Sequence, residues 1–250
     1  MSRPVITGLL LLISANVLSQ VSGIKSGLAV STQGIEKLYL EILSPPDDII
    51  DGWEFLPYDY RSKTTPFLSE GRSFYADILM HNRYYRNIPV QYDTFQDELV
   101  FTDTSRMISA RYPKIILRKE VVDSFCLNTP EGLLSFSKLS FDENDQMKDG
   151  YYEIAYSGPT KLFVKHTSLI YRRDAINEYD YSPQYYINFN NTWVLVRNHK
   201  EFIALFGRDS EHIKNFIKQN SFKIRRMYKN DLVRILRYFD SSPSLKSSDI

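Results

Sequence analysis

Residues of the types that do chemistry are scattered through this 250-residue chain, and few stand at spacings that chemistry uses. The nearest approach to a metal site is "DENDQMKDGYYE", where Asp142, Asn144, Gln146 and Glu153 fall at positions 1, 3, 5 and 12 of a calcium-binding loop. Met147 stands where that loop needs Gly for its sharp turn, and strand-like sequence flanks it where helices should, so a solvated turn is expected. Cys126 is the sole cysteine, in the apolar run "VVDSFCLN". A nucleophilic thiol needs a histidine beside it, and none of His81, His166, His199 and His212 lies in a motif that brings it there. Cys126 is therefore expected to be a buried, chemically silent small hydrophobe. The chain has no G-x-S-x-G, H-E-x-x-H, Gly-rich phosphate loop or C-x-x-C. Asp47 and Asp48 lie in a Pro- and Asp-rich loop, and "NNT" at Asn190 is a glycosylation sequon that matters only in a eukaryotic secretory pathway. No catalytic, cofactor-binding or metal-binding residue is assigned, and no cofactor is expected.

Charge carries more information than motifs do. From Gln20 to Leu195 there are 18 Lys or Arg against 24 Asp or Glu, whereas from Val196 to Ile250 there are 12 against 6. The near-neutral whole thus divides into an acidic body and a basic end, which points to an anionic partner for the latter. Lys214, Lys218, Arg225, Arg226, Lys229, Arg234 and Arg237 are expected to face solvent and to gather into one positive patch. Its partner would be another protein or an anionic membrane surface, the modest alternative being the chain's own acidic body. Nucleic acid fits the charge but not the compartment argued next.

Residues 1–19, "MSRPVITGLLLLISANVLS", place Arg3 before an apolar run from Leu9 to Ile13 that fades into small and polar residues. Val17 and Ser19 match the small residues that precede a signal-peptidase cut, so the mature chain is expected to begin at Gln20, outside the cytoplasm. The run is shorter than the ~20 residues a membrane helix needs, and no later segment is long and apolar enough. A single cysteine excludes an internal disulfide, but about 230 mature residues can bury a core without one.

The elements that would position any site are mostly strands. Residues 20–52 are ambiguous between helix and strand, and "GWEFLPYDYRSKTTPFL" suits an irregular aromatic segment lying across a sheet. Residues 53–197 then carry recurring strand signals, among them "SFYADILM", "NIPVQYD", "ELVFTD", "KIILRKEVVDSFCL", "YYEIAYS", "KLFVKHTSLIYR" and "TWVLVR". This spacing, with no βαβ pattern, predicts a mainly β fold: an antiparallel β-sandwich or partly open barrel. In "YYEIAYSGPTKLFVKH" the turn is Ser157-Gly158-Pro159-Thr160. Alternation puts Tyr152, Ile154 and Tyr156 on one face and Leu162, Val164 and His166 on one face, with Lys161, Phe163 and Lys165 behind as the outer row of a half-buried sheet. Residues 198–240 predict a small bundle of three short helices: one capped by Asn198 with Glu201 and ended by Gly207, one capped by Asp209 that buries Ile213, Phe216 and Ile217, and one that buries Leu232, Ile235, Leu236 and Phe239. Residues 241–250 form a polar tail.

The "TPFL" segment after an aromatic stretch, the "YYEIAYSGPTKLFVKH" hairpin and the ending "HIKNFIKQNSFKI…DLVRILRYFD" together resemble a family of uncharacterised exported envelope proteins of Bacteroidota, over about Trp53 to Asp240. The resemblance implies a Gram-negative envelope location, in the periplasm or on the periplasmic face of the outer membrane. It carries no established activity and so no functional residue. The expected function is that of a non-enzymatic binding or structural component. The alternatives are a carrier enclosing an apolar or lipid ligand in its β body, and a hydrolase assembled from scattered Asp, Glu and His.

Overall fold

A computed structural model describes residues 52–105, 107–141, 147–189 and 192–242, with the backbone alone at Arg225. The leader, the ambiguous segment up to 51, Asp47 and Asp48, three of the four calcium-loop positions (Asp142, Asn144, Gln146), the sequon at Asn190 and the tail from 243 lie outside the described residues.

Thirteen strands succeed one another: β1 (Gly52–Glu54), β2 (Phe74–Met80), β3 (Arg83–Asp93), β4 (Glu98–Thr102), β5 (Lys114–Leu117), β6 (Val122–Thr129) and β7 (Gly132–Leu139), then β8 (Gly150–Ser157), β9 (Lys161–Lys165), β10 (Ser168–Arg173), β11 (Ile176–Tyr181), β12 (Gln184–Phe189) and β13 (Thr192–Val196). Among the described residues three helices follow β13: α1 (His199–Ala204), α2 (Ser210–Gln219) and α3 (Lys229–Ser241). Eleven strands form one antiparallel sheet, ordered β1-β5-β4-β3-β2-β6-β7-β8-β9-β12-β13, while β10 and β11 pair as a separate ribbon. The fold is mainly β and antiparallel with short C-terminal helices, as its strand spacing predicts, and the sheet stays open at β1 and β13.

The sheet curls. Tyr92 of β3 meets Phe125 of β6, Phe136 of β7 and Tyr151 of β8 edge-on, with ring centroids 5.7, 5.2 and 6.3 Å away, although β6, β7 and β8 are not its sheet neighbours. These rings, with Ile78, Val90, Leu99, Phe101 and Leu127, fill the concave face. A second core joins Leu162, Ile187 and Val196 of the sheet to Phe202, Phe206, Ile213, Leu232, Ile235, Leu236 and Phe239 of the helices. A third gathers Met147, Tyr152, Phe163 and Tyr186, with Trp193 packed against it.

Because the neighbours Leu162 and Phe163 enter different cores, the β8–β9 hairpin is buried on both faces. The expected outer row of lysines is corrected accordingly: Phe163 is buried, and so is Lys165, which finds a carboxylate. A β-bulge between Ile154 and Tyr156 also breaks the expected row of Tyr152, Ile154 and Tyr156. Tyr152 enters the third core, Ile154 is exposed, and Tyr156 packs on the helical core. Two long strand signals divide. "KIILRKEVVDSFCL" turns at 118–121 between β5 and β6, and "KLFVKHTSLIYR" breaks at His166 and Thr167, where the chain leaves the sheet to build the ribbon.

The helix signals hold with one exception. Asn198 Oδ1 accepts from the amides of Lys200 and Glu201, both at 3.0 Å, and Glu201 reaches back to the amide of Arg197 at 2.9 Å. Asp209 makes no side-chain cap, because a 3-10 turn at Gly207–Asp209 runs directly into α2. The basic link before α3 also contributes to the core: Ile224 and Met227 are buried there.

Candidate functional site

The break after β9 places His166 at the end of an inward-facing row with Leu162 and Val164, beside Glu153 of β8. Its Nε2 lies 2.8 Å from Glu153 Oε2, and both side chains are only 4% exposed. The other oxygen, Oε1, accepts from Lys229 Nζ at 2.5 Å. Lys229 opens α3, where the positive end of the helix disfavours a cation. A buried carboxylate within reach outweighs that effect, and this corrects the expectation that Lys229 joins a solvent-facing patch. On the far side of the imidazole, Nδ1 lies 2.6 Å from the hydroxyl of Tyr181, at the end of the ribbon, whose ring stacks on that of His166.

The electrostatics follow from this arrangement. Burial pushes the Glu153 carboxyl up, but the hydrogen bonds and charges of His166 and Lys229 together outweigh it and hold the group below the usual glutamate range. An ionised carboxylate only accepts, so Nε2 carries a hydrogen; in the neutral ring Nδ1 then accepts from Tyr181. Burial above all, with the neighbouring Tyr185 and the Glu153 carboxylate adding to it, raises the Tyr181 phenol well above its ordinary value. The Tyr181 phenol is therefore not activated as a nucleophile.

The open end of this row faces a cleft of about 880 Å³. Its floor carries His166, Tyr179, Tyr181 and Lys229, and its walls come from residues 62–70 and from Thr129, Glu131 and Leu134. Within the wall, the helical turn Leu68–Gly71 runs left-handed, with φ of 54° at Ser69, 59° at Glu70 and 83° at Gly71. Two consecutive non-glycine residues in that region are strained, and such strain persists only where neighbours impose it. Here Gln91 Nε2 donates 2.5 Å to the Gly71 carbonyl, while Gln91 Oε1 accepts 2.5 Å from Lys114. The strained turn leaves Ser69 and Glu70 exposed on the cleft wall. The segment is anchored on its other side by Tyr58, whose hydroxyl bonds Asp93 and whose ring meets Tyr179 at 5.2 Å.

A second buried charge cluster lies nearby in the sheet. Asp97 Oδ2 accepts from Lys165 Nζ at 2.7 Å, from Lys119 Nζ and from the Tyr151 amide at 3.2 Å, and Oδ1 accepts from the Tyr92 hydroxyl at 2.6 Å. A side chain at Gly150, at φ +143°, would put its Cβ 2.1 Å from Asp97 Oδ2 and 2.2 Å from Lys165 Nζ. Only glycine fits there. A third contact ties the bundle to the hairpin: Asp240 of α3 accepts from the Tyr156 hydroxyl at 2.9 Å, the Thr160 amide at 3.0 Å and the Thr160 hydroxyl at 2.9 Å.

Of the seven basic residues singled out in the sequence, Lys214, Lys218, Arg226, Arg234 and Arg237 are exposed. Lys214 pairs with Glu211 at 2.6 Å, Arg226 donates to the Tyr228 hydroxyl at 3.0 Å, and Arg234 lies 6.0 Å from the ring centre of Phe222. Arg225 has no described side chain, and Lys229 belongs to the cleft. The remaining calcium-loop position, Glu153, sits in a strand and is fully engaged by His166 and Lys229. Cys126 is half-buried and not sealed: with Phe125 and Leu127 in the core, a strand's period of two turns it to the other face, where Sγ lies 3.6 Å from Ser135 Oγ. Among the described residues no group of three or more His, Cys, Asp or Glu side chains could hold a metal ion, and no helix is long and apolar enough to cross a membrane.

In the sequence Glu153 stands only as a calcium-loop position and His166 only as one residue of a strand face, and nothing local singles out Tyr181 or the turn at Ser69. One signal was available for the first two: a histidine and a glutamate stand at inward positions of facing strands, where only apolar residues are expected without a polar partner. No family model, curated protein or solved structure matches the chain.

Proposed function

We propose that the chain is a non-enzymatic binding protein of the cell envelope, exported by its N-terminal leader, that takes a small polar ligand in the cleft over His166, Tyr181 and Lys229. The observation that carries this reading is the floor of that cleft, where His166 and Lys229 both bond one buried carboxylate, Glu153, and Tyr181 is held in turn by His166. Ligand sites are concave and have few, pre-placed polar groups, and the cleft's volume of about 880 Å³ falls in the ~300–1,000 Å³ range of such sites. Binding fits better than catalysis because the Tyr181 phenol is pushed up and not down, opposite to what a nucleophile needs. The leader-like residues 1–19 and the resemblance to exported envelope proteins support the compartment.

Native mass spectrometry of the protein purified from its own source tests the binding reading. A small molecule retained by the wild type should be lost from Glu131→Trp, which crowds the cleft rim from an exposed turn. Wild type that carries no small molecule, or an unchanged retained mass in the variant, overturns it. Peptide mapping of the mature form tests export: a mature start at Gln20 supports it, and recovery of intact Met1 from the native envelope refutes it.

A further inference from the structure

Away from the cleft, a second concavity of about 570 Å³ opens between α1, α2 and the 3-10 turn Ile224–Arg226. Its floor is apolar: Ile203 and Ala204 of α1, Ile217 of α2 and Ile224. Its rim is cationic, with Lys200 on one helix and Lys214 on the other, both exposed. No Asp or Glu lines it. Glu211 pairs with Lys214 at the surface, where such pairs contribute little and exchange readily. Lys200 makes no ion pair among the described residues.

An apolar floor under a one-signed rim is complementary to a molecule divided in the same way. We infer that this groove binds a single-chain anionic amphiphile, its hydrocarbon tail against Ile203, Ala204, Ile217 and Ile224 and its acidic head between Lys200 and Lys214. The groove's shape selects this occupant over a bilayer. A surface that inserts into lipid must project apolar side chains, whereas here Ile203, Ile217 and Ile224 are half-buried or buried in a concavity that Ala204 only edges, so the tail has to leave its own aggregate and come to the protein. The charge agrees: the chain from Val196 onward carries 12 Lys or Arg against 6 Asp or Glu, which raises the local concentration of any anion. The expectation of an anionic partner for the basic end thereby narrows to one chemical class, and an apolar ligand finds its place between helices and not inside the sheet.

Isothermal titration of the full chain with sodium laurate, below its micelle concentration, tests the inference, with sodium acetate and dodecyl maltoside as the head-only and uncharged-head probes. Laurate should bind with one site, acetate not at all, and dodecyl maltoside at least about tenfold more weakly. Ala204→Trp fills the groove from an exposed position and should abolish laurate binding; Lys200→Gln with Lys214→Gln should weaken it about tenfold while leaving the thermal midpoint in place. Added salt should weaken the wild type and not the double variant, because exposed charges are screened beyond ~8 Å at physiological ionic strength. The inference fails if Ala204→Trp binds laurate as the wild type does, or if laurate and dodecyl maltoside bind equally. It fails also if the protein ignores monomeric laurate yet sediments with phosphatidylglycerol vesicles, which would make the basic face a membrane-surface contact.

Discussion

Asp97 and Glu153 are two carboxylates in nearly the same predicament, each drawn out of water and each answered by the nitrogens of two side chains, Lys119 and Lys165 for Asp97 and His166 and Lys229 for Glu153, with tyrosine hydroxyls close at hand. They differ in where their partners lead. Those of Asp97 come from the sheet and its turns, and the cluster closes on itself around Gly150, so its work is to hold the β3–β4 turn against β8 and β9. Those of Glu153 come from the break just after β9 and from α3, and beyond them lie Tyr181 and an open cleft. A buried charge alone does not distinguish a site from a staple; an exit toward solvent through pre-placed polar groups does.

The comparison can be broken by removing one carboxylate at a time. Asp97→Ala leaves Lys165, whose amine is already pushed down by burial with only Asp97 opposing it among the leading influences, without a counter-charge in the interior. Urea unfolding should show a loss of about 3–5 kcal/mol, the largest of the series; a loss under about 1 kcal/mol would mean that Lys165 escapes to water and the cluster is not closed. Glu153→Gln should lose less, about 2–3 kcal/mol, because the amide keeps the shape and Lys229, 28% exposed, can turn outward.

Acid sharpens the same contrast. The Glu153 carboxyl is held below its unfolded value, so its contribution is complete above an unfolded glutamate pKa of ~4.3 and is lost as pH falls through the depressed folded value. The stability gap between wild type and Glu153→Gln should therefore be constant from pH 7 down to about 5 and shrink below ~4. A gap that does not shrink in acid would show that hydrogen-bond geometry, not charge, accounts for it.

Lys229→Met is the small structural change with a functional reading. Loss of a pair that is partly open to water should destabilise by about 1 kcal/mol or less, while the small molecule retained in the cleft should be lost. Smallest of all is Cys126→Ser on the outer face of β6, expected within about 0.5 kcal/mol of wild type in the same unfolding measurement. A loss of 2 kcal/mol there would restore the sealed, apolar position that the run "VVDSFCLN" suggests.

Much of the architecture is legible in the chain because its signals are local. Alternation over Phe74, Ala76, Ile78 and Met80 makes a half-buried strand, and Asn198 with Glu201 starts a helix, whatever lies elsewhere. The site is not legible in this way. Glu153 and Lys229 are 76 residues apart, and Tyr181 reaches His166 only because the chain leaves the sheet at Thr167 and returns along a ribbon. A bulge adds its own displacement: one irregular register between Ile154 and Tyr156 reassigns the faces that strict alternation predicts. Cys126 errs the other way, since apolar neighbours in sequence are not neighbours on one face of a strand.

The fastening of α3 has a consequence in time. The helix is tied to the β8–β9 hairpin at both ends, by Lys229 on Glu153 and by Asp240 on Tyr156 and Thr160, across sequence separations of 76 to 84 residues. A ribosome adding ~5–20 residues per second makes Glu153 on the order of 4 to 15 seconds before it makes Lys229. Throughout that interval the hairpin exists without its clamp, with a carboxylate and a histidine that no helix yet covers. Contacts of such long range are also slow to form, since the loop must close before they stabilise anything. In the order of synthesis the sheet residues precede α3, and the last helix completes the floor of the cleft.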